Sequence, residues 1–308
     1  MALVEDGEIV EARIRLEGML AAGSVLAARL ARVGNGGRNA VATDERGRDY
    51  LLPRGAPGVT QGAGIAIEIV RETIPGTEPW KRPLARLTDR PPHFPPPLDQ
   101  FPGGTTLDLP ASVDRLGDAC WNDLIEEARS GIVRFAGGEL RISPTPAMTL
   151  IDVDGYLPPA ELAVAGAAEA ARAIRRLDIG GSIGIDLPTA GDRGARQQAA
   201  AAIDAMLPPP FERTAVNGFG FVQIVRPRNR ASLVELAQDR AAFEARALLR
   251  RTAFEAPGGK RIVAHPAVIG ALEGKSGWTD ALARQIGGTV ELRADPALPM
   301  SGGYAETL

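Results

Sequence analysis

The sequence predicts a protein of mixed β and α/β class, in which a small β-barrel precedes an α/β domain and a small α+β subdomain. Short apolar stretches separated by glycine-rich turns fill residues 1–74, and nine prolines crowd residues 75–104. In residues 105–253, short apolar runs alternate with longer stretches rich in alanine and arginine, the pattern of strands and helices in an α/β domain. Residues 254–308 predict the α+β subdomain.

The amino-terminal unit contains four stretches with the spacing of short strands. They are residues 25–33, 39–43, 49–52 and 64–72, with turn signals such as Gly34-Asn35-Gly36-Gly37 between them. Several short strands at this spacing predict a closed barrel of the oligonucleotide-binding (OB) type. The proline-rich segment after it predicts a linker or an extended arm, because proline lacks an N–H donor and fixes φ.

The α/β unit begins with a helix and an antiparallel meander. The predicted helices are 113–129, 159–177, 193–206 and 233–252, and the predicted strands are 131–135, 139–143, 147–153, 182–186, 213–216 and 221–225. A meander that leads into alternating helices and strands is compatible with a ribonuclease-H-like layout. In the last subdomain we expect strands near 262–264 and 289–293.

Two aspartates, Asp152 and Asp186, each follow a short apolar run that reads as a buried strand. The helix predicted between these runs makes the two strands parallel neighbours, so that both carboxylates should emerge at one edge of the sheet. Paired carboxylates without a soft ligand nearby suit a hard cation such as Mg²⁺. The plainer interpretation is that each aspartate hydrogen-bonds to the backbone of the turn or helix that follows it.

Composition narrows the class of protein further. The chain has 308 residues, a formal net charge of −3 and one cysteine, Cys120, which excludes an internal disulfide and a multi-cysteine zinc site. No apolar run is long enough to span a bilayer, and no signal peptide is visible. We therefore expect a cytoplasmic protein without a membrane partner.

Four blocks between residues 131 and 230 resemble, in order, the catalytic region of the bacterial ribonuclease E/G family. The first block runs from Gly137 to Asp154, and the second runs from Arg172 to Asp186. The third is the pair Arg193 and Arg196, and the fourth is Gly218-Phe219-Gly220 followed by Arg226-Pro227-Arg228. The amino-terminal barrel matches loosely, in the position of the family's S1 domain.

The resemblance implies a Mg²⁺-dependent endoribonuclease that cleaves single-stranded RNA in RNA processing or decay and leaves a 5′-phosphate. Asp152 and Asp186 would be the catalytic metal ligands, Asp154 would stand in place of a supporting asparagine, and Mn²⁺ could replace Mg²⁺. Tyr50 lies where the family places a base-stacking phenylalanine. The resemblance also implies RNA contacts for four arginines, Arg193, Arg196, Arg226 and Arg228.

The chain departs from the family pattern in several places. The segment of the family's 5′-monophosphate sensor is missing, and so are the cysteines of its zinc-linked tetramer, which leaves a homodimer as an open expectation. Ala163 and Ala165 stand where the family has an asparagine and a glutamate after the first aspartate strand. The second hypothesis is therefore a non-catalytic RNA-binding protein that keeps the fold. Tyr50 could equally belong to the barrel core, and Arg226 and Arg228 could form a solvated basic edge.

Overall fold

The computed structural model describes residues 1–16, 18–75, 81–94, 104–105, 107 and 113–308. These residues form a mixed α/β structure with a closed five-stranded barrel, a six-stranded sheet, a three-stranded sheet and a two-stranded hairpin. The predicted combination of a barrel with α/β structure is therefore confirmed. In the described parts of the chain, no helix is both long enough and apolar enough to cross a membrane.

The four strands predicted for the barrel are present, and a fifth strand lies beyond the predicted unit. The barrel strands are β3 (Val25–Arg32), β4 (Ala40–Thr43), β5 (Asp49–Leu52), β6 (Gly64–Arg71) and β7 (Leu84–Leu87), which follow the hairpin strands β1 (Ala2–Glu5) and β2 (Glu8–Ala12). The hairpin lies outside the barrel, and its Ile9 and Ala12 belong to the core of the α/β unit. The strands close in the order β3–β4–β5–β7–β6.

Strand β7 corrects the prediction that residues 75–104 form only a linker. It pairs in parallel with β5 at Leu51 and Leu84, and the N–H of Leu51 donates to the carbonyl of Pro83 at 3.0 Å. Proline is tolerated at the start of a strand because the ladder needs no N–H donor there. Of the remaining linker, residues 76–80 and 95–103 lie outside the described part of the chain.

The α/β unit forms the six-stranded sheet and its helices. The elements are α1 (Arg115–Asp118), α2 (Trp121–Ser130), β8 (Ile132–Phe135), β9 (Gly138–Pro144), β10 (Thr149–Gly155), α3 (Pro159–Arg176), β11 (Gly181–Asp186), α4 (Arg193–Met206), β12 (Glu212–Arg213), β13 (Phe221–Arg226), α5 (Leu233–Leu236) and α6 (Arg240–Ala253). The strand order is β12–β13–β11–β10–β9–β8. Strands β10 and β11 are parallel, as predicted, and the other pairs of this sheet are antiparallel.

Two predicted helices are each divided in two. The first breaks at Cys120, whose backbone has a left-handed conformation (φ 63°) that an α-helix cannot contain. The second breaks before Asp239, which caps α6 by accepting a hydrogen bond from the N–H of Ala242.

One face of the six-stranded sheet is buried and the other is open. Along β10, Thr149, Ile151 and Val153 are buried, whereas Leu150 and Asp152 are exposed. The alanine-rich helix α3 covers the buried face, and Gly166 lets it approach Val153 closely enough to leave no room for a Cβ. The alternation follows from the two-residue period of a strand with one face in water. It places every second side chain of β10 on the open face.

The carboxyl-terminal unit is built around three strands. Its elements are β14 (Lys260–Ala264), α7 (Pro266–Glu273), α8 (Ser276–Ile286), β15 (Val290–Ala294) and β16 (Tyr304–Thr307), with the sheet order β15–β14–β16. The strands expected near 262–264 and 289–293 correspond to β14 and β15. Leu248 of α6 packs into the same core as Ile262 and Leu272, so α6 connects this unit to the rest of the protein.

Candidate functional site

The two aspartates singled out in the sequence are direct neighbours in the sheet. Asp152 on β10 is paired with Asp186 on β11, at the last position of the parallel ladder, and both side chains are exposed. Neighbouring strands lie about 4.8 Å apart, and paired residues point to the same face. Asp186 is the last residue of its strand, whereas β10 continues three residues beyond Asp152 along β9. The structure therefore confirms the adjacency, but Asp152 does not end its strand.

Asp154 completes an acidic cluster, which we define as Asp152, Asp154 and Asp186. Asp154 lies two residues after Asp152 and is exposed on the same face of β10. Arg141 of β9 is paired with Asp152, and its guanidinium forms an ion pair with Glu139 at 2.7 Å. Within the described residues, no member of the acidic cluster forms an ion pair at hydrogen-bonding distance.

The charges of the acidic cluster act on one another. Partial burial and then the negative charges of Asp154 and Asp186 raise the pKa of Asp152, while a hydrogen bond from the Val153 N–H and the charge of Arg141 act in the opposite direction. Carboxylates whose negative charge raises the pKa of a neighbouring carboxyl are close enough to repel it. Arg141 therefore offsets only part of the negative charge of the cluster, and a cation would relieve the remaining repulsion.

The residues present fit a hard divalent cation held by few protein ligands. Among the described residues, no group of three or more His, Cys, Asp and Glu side chains is arranged to hold a metal ion. Mg²⁺ does not need such a group, because it keeps several waters and is commonly bound through one or two carboxylates together with substrate phosphates. Asp152 and Asp186 supply this pair, and Mn²⁺ accepts the same oxygen ligands.

The loop after β11 connects the acidic cluster to helix α4. The N–H of Leu187 donates to the Gly220 carbonyl at 3.2 Å, which joins this loop to the turn before β13. Asp192 caps α4, and Arg193, the first residue of that helix, is exposed at this end of the sheet. Arg196 instead donates to the carbonyls of its own loop at residues 190 and 191. Arg193 is therefore available to a ligand, whereas Arg196 fixes the loop.

Aromatic side chains near the acidic cluster were missed in the sequence. Tyr156 follows β10 and Phe219 precedes β13, and each is 83% exposed. Phe221, the first residue of β13, is paired with Asp186 and is half-buried on the open face. A sequence signal was present, since Gly218 and Gly220 flank Phe219 in a turn where no core position is expected.

Tyr50 cannot serve as a base-stacking residue in this structure. Its ring is 1% exposed in the barrel core, and its hydroxyl donates to Asp44 at 2.9 Å. Burial, and then this hydrogen bond, raises the pKa of the Tyr50 hydroxyl. The reason is strand geometry, because Tyr50 and Leu52 share the inward face of β5. Of the two interpretations of Tyr50, the core position is the one that the structure has.

Arg226 and Arg228 are also committed to contacts within the protein. Arg226 is half-buried, and its Nη1 donates to the carbonyls of Ile179 at 3.0 Å and Ile174 at 3.5 Å. Arg228 forms an ion pair with Glu235. Arg226 lies five residues from Phe221 along β13, which is about 17 Å from the row of the acidic cluster. The structure thus does not bring these arginines to the acids.

Arg228 does line a basic cleft at its own end of the sheet. The cleft has a volume of about 240 Å³ and is shared with Arg71 of the barrel and with Lys81. Burial, and then the charge of Arg228, lowers the pKa of Arg71, so the two guanidinium groups are close. The cleft is separate from the acidic cluster, and Glu235 offsets part of its positive charge.

Comparisons with known proteins add no assignment to this geometry. No protein-family model matches the chain, and no curated protein is significantly similar to it. The resemblance to the ribonuclease E/G family therefore stays a prediction that depends on the four sequence blocks. The structure adds the positions that the residues of these four blocks have in the fold.

Proposed function

We propose that this protein is a Mg²⁺-dependent endoribonuclease that cleaves single-stranded RNA in RNA processing or decay. The observation that carries the proposal is the pairing of Asp152 with Asp186, exposed on the open face of the sheet and without an ion-pair partner among the described residues. The four blocks that resemble the ribonuclease E/G family support it. An S1-type barrel and a ribonuclease-H-like layout of the sheet stay predictions.

The acidic cluster has a role in this reaction that plain RNA binding would not need. Unpaired carboxylates repel a phosphate, so a polyanion can approach them only when a cation lies between. Bound Mg²⁺ would supply a water of lowered pKa and would neutralise charge that develops on the phosphate. Asp152 and Asp186 would hold the ion from two adjacent strands, and Asp154 would add negative charge beside it. Arg193 would contact a neighbouring phosphate.

The surroundings of the acidic cluster favour a single strand over a duplex. The acids lie on an open sheet face, and exposed aromatic rings lie at the same end of the sheet. Such rings can stack on bases only when the bases are not already stacked within a helix. Substrate recognition would therefore depend on unpaired nucleotides.

A non-catalytic RNA-binding protein is the second candidate. Ala163 is buried against the core and Ala165 is half-buried on α3, so neither position offers a polar group to the acidic cluster. The absence of a three-ligand metal group among the described residues favours the same hypothesis. The uncompensated acids argue against it, because they would weaken RNA binding in the absence of a metal ion.

A cleavage assay distinguishes the two candidates. Fluorescent single-stranded RNA is incubated with the protein in Mg²⁺ or in EDTA, beside the variants Asp152→Asn and Asp186→Asn. We expect cleavage in Mg²⁺ that leaves 5′-phosphates, and a loss of about 100-fold or more in each variant, because the metal's contribution is worth several kcal/mol. Glu273→Gln, which changes an exposed acid of α7, is the matched control and should cleave normally.

The proposal fails if both asparagine variants cleave as fast as the wild type, or if cleavage persists in EDTA. If no form cleaves but all bind RNA with steep salt dependence, the binding protein is the correct candidate. If none binds RNA, both candidates are wrong.

A further inference from the structure

The ring of Phe221 lies over Gly184 on the open face of the sheet, next to the acidic cluster. A Cβ at Gly184 would come within 2.6 Å of Cζ of Phe221 and 3.1 Å of Cδ2 of Leu150. Because Gly184 has no side chain, it leaves a shallow depression in which the Phe221 ring and Leu150 meet. We call this surface, made of Gly184, Phe221 and Leu150, the Phe221 seat. This apolar patch crosses three strands, from β13 to β10. It directly adjoins the pair Asp152 and Asp186, because Phe221 is paired with Asp186.

A second ring, that of Phe219, is held outward by a rigid turn. The side-chain oxygen of Asn217 accepts hydrogen bonds from the N–H groups of Phe219 at 2.9 Å and Phe221 at 3.1 Å. The Thr189 hydroxyl donates to the Phe219 carbonyl at 3.2 Å, which fixes the turn to the loop after Asp186. These contacts hold the backbone while the ring stays 83% exposed. The turn therefore presents a bare aromatic ring beside the candidate active site.

We propose that Phe219 and Phe221 are base-stacking residues that position unpaired nucleotides of the RNA beside the bond that is cleaved. The inference rests on the proposed function and names the groups that would position its substrate. Every base has a face that can stack on an aromatic ring, so the two rings would bind single-stranded RNA without selecting a particular base sequence. The backbone next to a seated base would then pass over Asp152 and Asp186.

The chemistry of the neighbouring residues favours RNA over an apolar protein surface as the occupant. A protein partner that covered the rings would also cover Asp152 and Asp186, and burying unpaired carboxylates is costly. A nucleotide has a base that can stack on the rings. It also has a phosphate that can approach the acids through a bound cation. Exposed Arg193 at the start of α4 matches the phosphate as well.

The test combines ring variants with RNA that lacks single bases. Phe219→Leu and Phe221→Leu keep apolar bulk but remove the stacking face, and Phe219→Tyr and Phe221→Tyr keep the ring. We expect each leucine variant to lower kcat/KM for cleavage by about 5-fold or more, and each tyrosine variant to stay near wild type. An abasic nucleotide next to the cleaved bond should slow the wild type by a similar factor and the leucine variants much less. Thermal unfolding checks that all variants fold.

Binding in Mg²⁺, measured by fluorescence anisotropy with the ring variants made in the uncleaving Asp152→Asn background, separates this inference from the proposed function. If the wild type cleaves RNA, Asp152→Asn does not, and both leucine variants cleave at the wild-type rate, then the stacking inference is overturned and the nuclease stands. If the wild type does not cleave, the proposed function fails and binding decides. Weaker binding of the leucine variants, with tyrosine rescue, supports stacking, and unchanged binding overturns it.

Discussion

The two ends of the six-stranded sheet carry opposite charges in very different environments. At one end the acidic cluster is exposed and has no ion-pair partner within the described residues. At the other end Arg226 bonds to backbone carbonyls, Arg228 pairs with Glu235, and Arg230 pairs with Asp178 at 2.9 Å. Charges that are paired inside the protein stabilise the fold, whereas unpaired charges of one sign attract ions or ligands of the opposite sign from solution. The acids, and not the arginines, are therefore the place to look for chemistry.

The largest expected difference between the two ends is in the stability that is lost when an arginine is replaced. Arg230→Met should lower the free energy of unfolding by about 2–4 kcal/mol, because it leaves the largely buried carboxylate of Asp178 without its partner. Burial raises the pKa of Asp178, and Arg230 is the first charge that counteracts it. Arg193→Met, the matched change at the acidic end, should cost less than about 0.5 kcal/mol because Arg193 is exposed. Urea unfolding measures both, and equal losses would contradict the comparison.

A smaller loss is expected for Arg226→Met. The variant keeps the apolar stem but removes the donors to the carbonyls of Ile174 and Ile179, at the carboxyl end of α3 and in the turn after it. The Ile174 carbonyl keeps its hydrogen bond from the Ile179 N–H at 2.9 Å, whereas the Ile179 carbonyl loses the Arg226 donor, and such a partly buried, unsatisfied carbonyl should cost about 1–3 kcal/mol. If Arg226 serves the fold, RNA affinity of the folded variant should equal that of the wild type. A drop in affinity without a drop in stability would restore Arg226 as an RNA-binding residue.

The sequence predicts the acid pair well because topology leaves little freedom. A strand, a helix and a second strand most often place their strands side by side, and the apolar pattern is therefore enough to predict the adjacency of Asp152 and Asp186. The first four barrel strands are predicted from their apolar stretches and turn signals, whereas β7, which follows a proline and has four residues, is missed. A segment this short carries too little pattern to stand out among prolines.

Other features depend on information that the local sequence does not contain. Whether Tyr50 points into or out of the barrel is set by a one-residue choice of register, which reverses the face of every side chain. Arg230 and Asp178 are 52 positions apart in the numbering and meet because α3 and β13 end near each other. The helix break at Cys120 depends on one positive φ. The Phe221 seat needs a glycine on a neighbouring strand, which no local pattern reveals.

The smallest predicted effect is the pH dependence of the stability that is contributed by Asp204, an acid that is paired with an arginine. The side-chain hydrogen bond from Arg213, with Nε and Oδ1 at 2.7 Å, lowers the pKa of Asp204 below its ordinary value of 3.8. A lowered pKa in the folded state means that the ionised carboxylate stabilises the fold above pH 3.8 and that this contribution is lost as the pH falls through the folded value. Asp204→Asn should therefore be less stable than the wild type at pH 7, by less than about 1 kcal/mol since the pair is exposed, and equally stable near the acid limit.

The matched variant at the acidic end should behave in the opposite way. In EDTA at pH 7, Asp152→Asn should be as stable as the wild type or slightly more stable, because it removes repulsion from Asp154 and Asp186 and breaks no ion pair. Added Mg²⁺ should then raise the melting temperature of the wild type and of Asp204→Asn, but not that of Asp152→Asn, because an ion bound by the folded state stabilises it. If Asp152→Asn is destabilised in EDTA, or gains as much from Mg²⁺ as the wild type, Asp152 belongs with the paired charges that serve the fold.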